Sequence, residues 1–234
     1  MTQSPQYPDL DTPCAVINLD VVDRNISAYQ AYCDKHGIAL RPHIKTHKIP
    51  AFAHQQLAAG AKGITCQKIG EAEVMADAGI NDILLTYNVI GERKLARLRA
   101  LFDRVSTLRV VADNEPVIEG LSRAFASSAK PLEILIECDT GGGRCGVQTP
   151  KSAVALAQKI ENLPGISFAG LMTYPAVGGG ARVDGFLDDA IAGLEAVGIA
   201  CPIRSSGGTP DMWKAHEVPN ATEHRIGTYI YNDR

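Results

Sequence analysis

Along this chain, short apolar runs alternate with longer stretches whose apolar residues recur every three to four positions. The short runs at 40–45, 63–68, 82–87, 108–112, 132–137, 166–172, 202–205 and 225–231 read as strands. The stretches 50–59, 70–78, 91–103, 115–127, 150–162 and 184–197 read as amphipathic helices. Strands apolar on both faces, each followed by a helix, indicate parallel βα units. Eight such units close into a (β/α)8 barrel, a fold of roughly 250 residues. A doubly wound sheet is the alternative, but no G-x-G-x-x-G follows the first strand.

One run does not fit. Residues 14–20 read as a strand ahead of the barrel, followed by a helix to about Lys35 that Gly37 closes. An eight-stranded barrel has no place for it. The last strand also runs straight into Asn232-Asp233-Arg234. The expectation is therefore a polar leader over 1–12, a barrel domain over 13–234 with strand 14–20 outside the barrel, and a further β-domain absent from this chain.

Composition narrows the class. With 45% hydrophobic and 21% charged residues the chain is ordinary globular protein, and a formal net charge of −3 gives no reason to expect a nucleic-acid or membrane partner. No apolar run is long enough to span a bilayer, and the N-terminal residues lack a secretory pattern. The six cysteines form no C-x-x-C pair and show no zinc spacing. They read as reduced thiols of a cytoplasmic protein, and no metal ligands are expected within the chain.

The chemistry gathers where strands end. Arg41-Pro42-His43-Ile44-Lys45-Thr46-His47-Lys48 closes the first barrel strand. If Arg41, His43 and Lys45 alternate along that strand they share one face, which cannot be an ordinary apolar core. A lysine among cations, partly desolvated, has its pKa lowered, and its free amine can attack a carbonyl to form a Schiff base. His43 and His47 are candidate bases beside it. After the seventh strand comes Ser205-Ser206-Gly207-Gly208-Thr209, in which glycines let backbone N–H groups face one anion. Gly227 lies in the next strand, and barrels often hold a phosphate at this place. Arg144, after Gly141-Gly142-Gly143, offers a planar donor fork. Tyr174 can stack or donate, and Gln67 is a polar group within an apolar strand. A lysine facing a phosphate cup across a barrel mouth fits a ligand with an aldehyde at one end and a phosphate at the other. Pyridoxal 5′-phosphate is such a ligand.

These residues resemble a known family. Pro42 to Lys48, Cys66-Gln67-Lys68-Ile69-Gly70-Glu71-Ala72-Glu73, Glu137-Cys138-Asp139-Thr140-Gly141-Gly142-Gly143-Arg144-Cys145-Gly146, Ser205 to Thr209 and Arg225-Ile226-Gly227-Thr228-Tyr229 look like the D-threonine aldolase / D-serine dehydratase family. These are pyridoxal-phosphate enzymes of the alanine-racemase-like fold. The resemblance implies that Lys45 carries the cofactor and that Ser206, Gly207, Gly208, Gly227 and Thr228, with Thr209 and Tyr229 in the same motifs, cradle the phosphate. It implies that Arg144, Gln67 and Tyr174 line the ring or its phenolic oxygen, and that Arg225 faces the ring nitrogen. The implied activity is lysis of D-β-hydroxy amino acids, by retro-aldol cleavage to glycine and an aldehyde or by dehydration. A divalent metal, with ligands beyond this chain, and a homodimer are implied as well. The alternative is a non-catalytic single-barrel protein that binds pyridoxal phosphate in cofactor homeostasis.

Overall fold

The structure, a computed structural model, describes residues 10, 11 and 13–231. The expected leader falls mostly outside them, as does the terminal Asn232-Asp233. Eight strands appear in chain order as β1 (Ala39–Leu40), β2 (Ile64–Cys66), β3 (Asp82–Leu85), β4 (Thr107–Ala112), β5 (Leu132–Cys138), β6 (Ile166–Thr173), β7 (Ile203–Gly207) and β8 (Glu223–Arg225). The helices are α1 (Leu19–His36), α2 (Pro50–Ala58), α3 (Ile69–Asp77), α4 (Glu92–Phe102), α5 (Glu115–Phe125), α6 (Pro150–Glu161) and α7 (Gly180–Ala196).

All strand pairs are parallel, and the sheet order is β1-β8-β7-β6-β5-β4-β3-β2. Its two ends meet. Thr65 N–H donates to Pro42 O at 2.7 Å, Lys62 N–H donates to Leu40 O at 2.8 Å, and His43 pairs with Thr65 in a parallel bridge. The barrel expected from the sequence is therefore present.

Local sequence explains the helices. Asn114 caps α5 by accepting from Val117 N at 3.1 Å, and Thr149 caps α6 by accepting from Ser152 N at 3.1 Å, each with a proline in the first turn. Val117, Leu121 and Phe125 of α5, and Ala153, Leu156 and Ile160 of α6, form buried stripes at three- and four-residue spacing. These stripes pack on the outer faces of the strands. Leu84, Val111, Leu135, Ala169 and Met172 fill the inside as a separate cluster. At Gly170 (φ +150°) the β5–β6 register shifts, and β7 passes so close that a Cβ would lie 1.9 Å from Ile203 O. Only glycine admits that approach.

Three sequence expectations need correction. Residues 14–20 form no strand: residues 14–18 are exposed chain without a sheet partner, and Asn18 opens α1 by accepting from Val21 N. The last strand begins earlier than 225–231 and ends at Arg225, after which Thr228–Tyr231 wind into a 3-10 turn. The first barrel strand is Ala39–Leu40, with ladder hydrogen bonds continuing to His43, and Ile44–Thr46 then form a 3-10 turn. Arg41, His43 and Lys45 thus share the barrel interior without one strand carrying all three.

Arg41 faces the floor of the barrel and is 2% exposed. Its Nε donates to Glu223 Oε2 at 2.6 Å and its Nη1 donates to Asp82 Oδ1 at 2.6 Å. Glu223 Oε1 accepts from Ser205 Oγ at 2.6 Å, Ser205 accepts from Arg225 Nη1 at 2.6 Å, and Arg225 Nη2 donates to Thr173 O at 2.8 Å. A continuous polar chain therefore runs up the inside from Asp82 to the mouth. Removing one member leaves its partner's charge buried and uncompensated. Arg41→Met is expected to destabilise the fold by about 3–5 kcal/mol, read from urea unfolding followed by circular dichroism.

Candidate active site

A cavity opens at the C-terminal ends of the strands. It is lined by His43, Lys45 and Thr46 from the 3-10 turn, Gln67 after β2, Glu137 on β5, Arg144 after it, Tyr174 after β6, Gly208 and Thr209 after β7, and Arg225, Gly227 and Thr228 at β8. The structure so brings together Lys45, His43, Gln67, Arg144, Tyr174, Gly208, Thr209, Arg225, Gly227 and Thr228 of the sequence-predicted set. His47, Ser206, Gly207 and Tyr229 lie outside it. His47 is buried against Phe52 with Nδ1 accepting from Ile49 N at 3.0 Å. Tyr229 is buried, its hydroxyl accepting from Gln56 Nε2 at 2.9 Å. Ser206 and Gly207 line a neighbouring cavity.

Lys45 is held in place by its turn. His43 Nδ1 accepts from Lys45 N at 3.4 Å, and Gly227 presses on the same turn: a Cβ there would lie 2.8 Å from Thr46 Oγ1 and 2.9 Å from His43 O. Burial lowers the pKa of Lys45, with the Arg144 and Arg225 cations adding to the effect and Glu71 opposing it. Its free amine is thereby favoured. Burial, with Lys45 and Arg225 nearby, pushes His43 down to about 3, and burial pushes His47 down to about 4. Both rings are neutral and weakly basic near neutral pH. Among the three candidate bases, Lys45 is the one that combines access to the cavity with useful basicity.

The glycine run before Arg144 has a structural task. Asp139 Oδ1 accepts from the N–H groups of Gly141 (2.9 Å), Gly142 (2.8 Å) and Gly143 (3.1 Å). Burial alone would raise the Asp139 carboxyl; these donors hold it below its ordinary value. The amides are thus already used, and the turn they make carries Arg144 over the ring of Tyr174, 4.8 Å from its centroid.

The turns at 208–209 and 227–228 show the opposite. The N–H groups of Gly208, Thr209, Gly227 and Thr228 donate to no group among the described residues. All four residues line the cavity, and Thr228 Oγ1 donates to Thr209 Oγ1 at 2.9 Å. A side chain on Gly208 would project to within 3.6 Å of the Tyr174 ring and fill the space. Free amides and hydroxyls of this kind form an anion cradle. Together with an activated lysine and a planar cation–ring stack, they fit pyridoxal phosphate. Among the described residues, no cluster of three or more His, Cys, Asp or Glu is placed to hold a metal ion.

Residues 17–234 match the N-terminal domain family of alanine racemase. The chain belongs to that family. It is 44% identical to the D-threonine aldolase of Arthrobacter sp. over 70% of this chain and 43% of that protein. It is 34% identical to the D-threo-3-hydroxyaspartate dehydratase of Delftia sp. strain HT23, over 96% of this chain and 62% of that protein. The crystal structure of D-threonine aldolase from Filomicrobium marinum superposes with a TM-score of 0.91 at 34% identity, covering 96% of this chain and 64% of that one. The chain therefore spans less than two thirds of the length of these relatives.

Sequence reading missed Glu137 and Asp139 as working residues. Glu137 is 7% exposed at the end of β5 and lines the cavity, accepting from Cys145 Sγ at 3.2 Å. Its signal was a charge closing an otherwise apolar strand. The signal for Asp139 was an acidic residue before a glycine run.

Lys45 should titrate below the ordinary lysine value. Removing the neighbouring cation in Arg144→Met relieves like-charge repulsion, so the Lys45 midpoint should rise. The check is 13C NMR of reductively methylated protein across pH, with Lys45→Arg assigning the resonance.

Proposed function

We propose that this chain is the cofactor-binding part of a pyridoxal-phosphate-dependent lyase acting on D-β-hydroxy amino acids. One observation carries it: a lysine whose free amine is favoured shares a cavity with four unengaged backbone amides. A ligand bearing a carbonyl and a phosphate satisfies both ends. The likeness to a D-threonine aldolase and a D-threo-3-hydroxyaspartate dehydratase supports the lyase over a carrier of the cofactor.

When bound, pyridoxal phosphate supplies an electron sink for the pair of electrons left at Cα. The residues of this chain supply attachment, orientation and proton handling. Lys45 would attack the aldehyde through its amine and, once displaced by substrate, stand free in the cavity to hold a proton. The amides at 208, 209, 227 and 228, with the hydroxyls of Thr209 and Thr228, would hold the phosphate. Arg225 is fully buried and pushed down to about 10 by burial, against the pull of Glu223 and Glu137. It remains a cation at neutral pH and can only donate, so an acceptor facing it is kept unprotonated. Arg144 and Tyr174 present a charged, planar wall to an aromatic ring and its anionic oxygen.

The branch would be set by whether the Cα–Cβ bond or the Cα–H bond is broken, since loss of the α-proton supplies the electron pair that expels the β-hydroxyl. D-threonine aldolase-like cleavage to glycine and an aldehyde is the branch favoured by the 44% identity to the Arthrobacter protein. The substrate is a small D-amino acid, and a homodimer with a divalent metal is the form the family resemblance implies.

Mixing the purified chain with pyridoxal phosphate should give a visible absorption band that borohydride abolishes, leaving the cofactor covalently attached at Lys45 in a tryptic digest. Lys45→Ala should give neither band nor adduct. No band in the wild type, or an adduct persisting in Lys45→Ala, would remove the basis of the proposal.

A further inference from the structure

A second cavity lies beside the first, and Tyr174 and Gly208 line both. Its volume is about 220 Å³, below the roughly 300–1,000 Å³ of pockets for drug-sized ligands, so it suits a small molecule. It lies outside the barrel wall. Ser205 points inward to Glu223 and Arg225, so its neighbours in the alternation, Ser206 on β7 and His224 on β8, point outward. They form one side of the cavity. The first residues of α7 and the 3-10 helix Met212–Glu217 form the others.

His224 fixes what this cavity can accept. It is 5% exposed. The Tyr29 hydroxyl has one proton, and its contact with Met212 O at 2.9 Å uses it, because a carbonyl can only accept. The 2.7 Å contact between Tyr29 Oη and His224 Nδ1 then has Nδ1–H donating. Nε2 is left as an unprotonated acceptor, with no hydrogen-bond partner among the described residues. Burial and the adjacent Arg225 push the ring down to about 3, which keeps it neutral. A bare anion offers no donor to this atom; an ammonium or hydroxyl does.

The first turn of α7 offers free donors. Helix α7 has 17 residues and starts at Gly179 without a side-chain cap. The N–H groups of Gly180 and Ala181 donate to nothing among the described residues. Lys214 adds a cation and Glu217 an anion, both on the 3-10 helix, and Asp211, whose Oδ2 accepts from Gly178 N, adds a second anion. Free N–H donors, a cation, an acceptor and two anions in one lining match a molecule carrying both signs of charge.

We infer that this cavity binds a small free α-amino acid, its carboxylate on the Gly180 and Ala181 amides and Lys214, its ammonium on His224 Nε2 with the carboxylates of Asp211 and Glu217 in the same lining. The site needs neither Lys45 nor the cofactor, so it stands apart from the proposed lyase chemistry.

The test uses the 15N-labelled 234-residue chain without cofactor, titrated with glycine and followed by amide shifts. Saturable shifts are expected at 178–181 and 214–218, unchanged in Lys45→Ala. Glycine should bind more tightly than acetate or methylammonium by about tenfold or more, the scale of one charged hydrogen bond. Lys214→Met should weaken glycine binding by about the same factor, and His224→Phe should abolish it. Lys214 is exposed, so its variant reads the site without threatening the fold. Absence of saturable shifts, shifts centred on 45 and 209 instead, or acetate binding as tightly as glycine would each overturn the inference.

Discussion

The structure depends on one line of buried charge. Inside the barrel, Asp82, Arg41, Glu223, Ser205, Arg225 and the Thr173 carbonyl are hydrogen-bonded in sequence from floor to mouth. The apolar side chains of Leu84, Val111, Leu135, Ala169 and Met172, from β3 to β6, pack inside the barrel beside it. Each charge in the line is tolerable only because its neighbour is in place. The line fixes β1, β7 and β8 relative to one another, and these are the strands whose ends carry Lys45 and the free amides. The cation of Arg225 is the line's upper end, and it helps lower the pKa of Lys45. Fold and reactivity thus share the same groups.

The two glycine-rich turns at the mouth show how similar sequences take opposite tasks. At 141–143 an internal carboxylate consumes the amides, and the turn becomes a rigid mount for Arg144. At 207–209 no internal acceptor competes, and the amides of Gly208 and Thr209 stay free for a ligand. Counting glycines does not separate these cases. Finding the nearest acceptor does.

Much of this was legible in the sequence. Alternating apolar runs and amphipathic stretches specify the eight βα units, because parallel strands buried on both faces leave a period that little else produces. That Lys45 and the 208–209 turn would meet at the barrel mouth followed from the fold rule. What was not legible depended on tertiary partners. Residues 14–20 have strand composition but no neighbouring edge among the described residues, and here 14–18 stay exposed chain while 19–20 enter α1. Ser206 and Thr209 look equivalent in a hydroxyl-flanked glycine turn, yet the pleat turns Ser206 outward. His43 and His47 look like bases by composition, and burial makes them poor ones. The role of Asp139 depends on backbone geometry that no residue pattern states in full.

The shortness of β1 has a mechanical consequence. The sheet closes on itself through a two-residue strand, a bridge at His43 and a few flanking hydrogen bonds. That is the thinnest part of the wall, and Lys45 lies just beyond it, with the free amides of Gly227 and Thr228 on the adjoining edge. A ligand fastened at both places would tie the end of β1 to the end of β8 and so brace the short strand on which the closure rests.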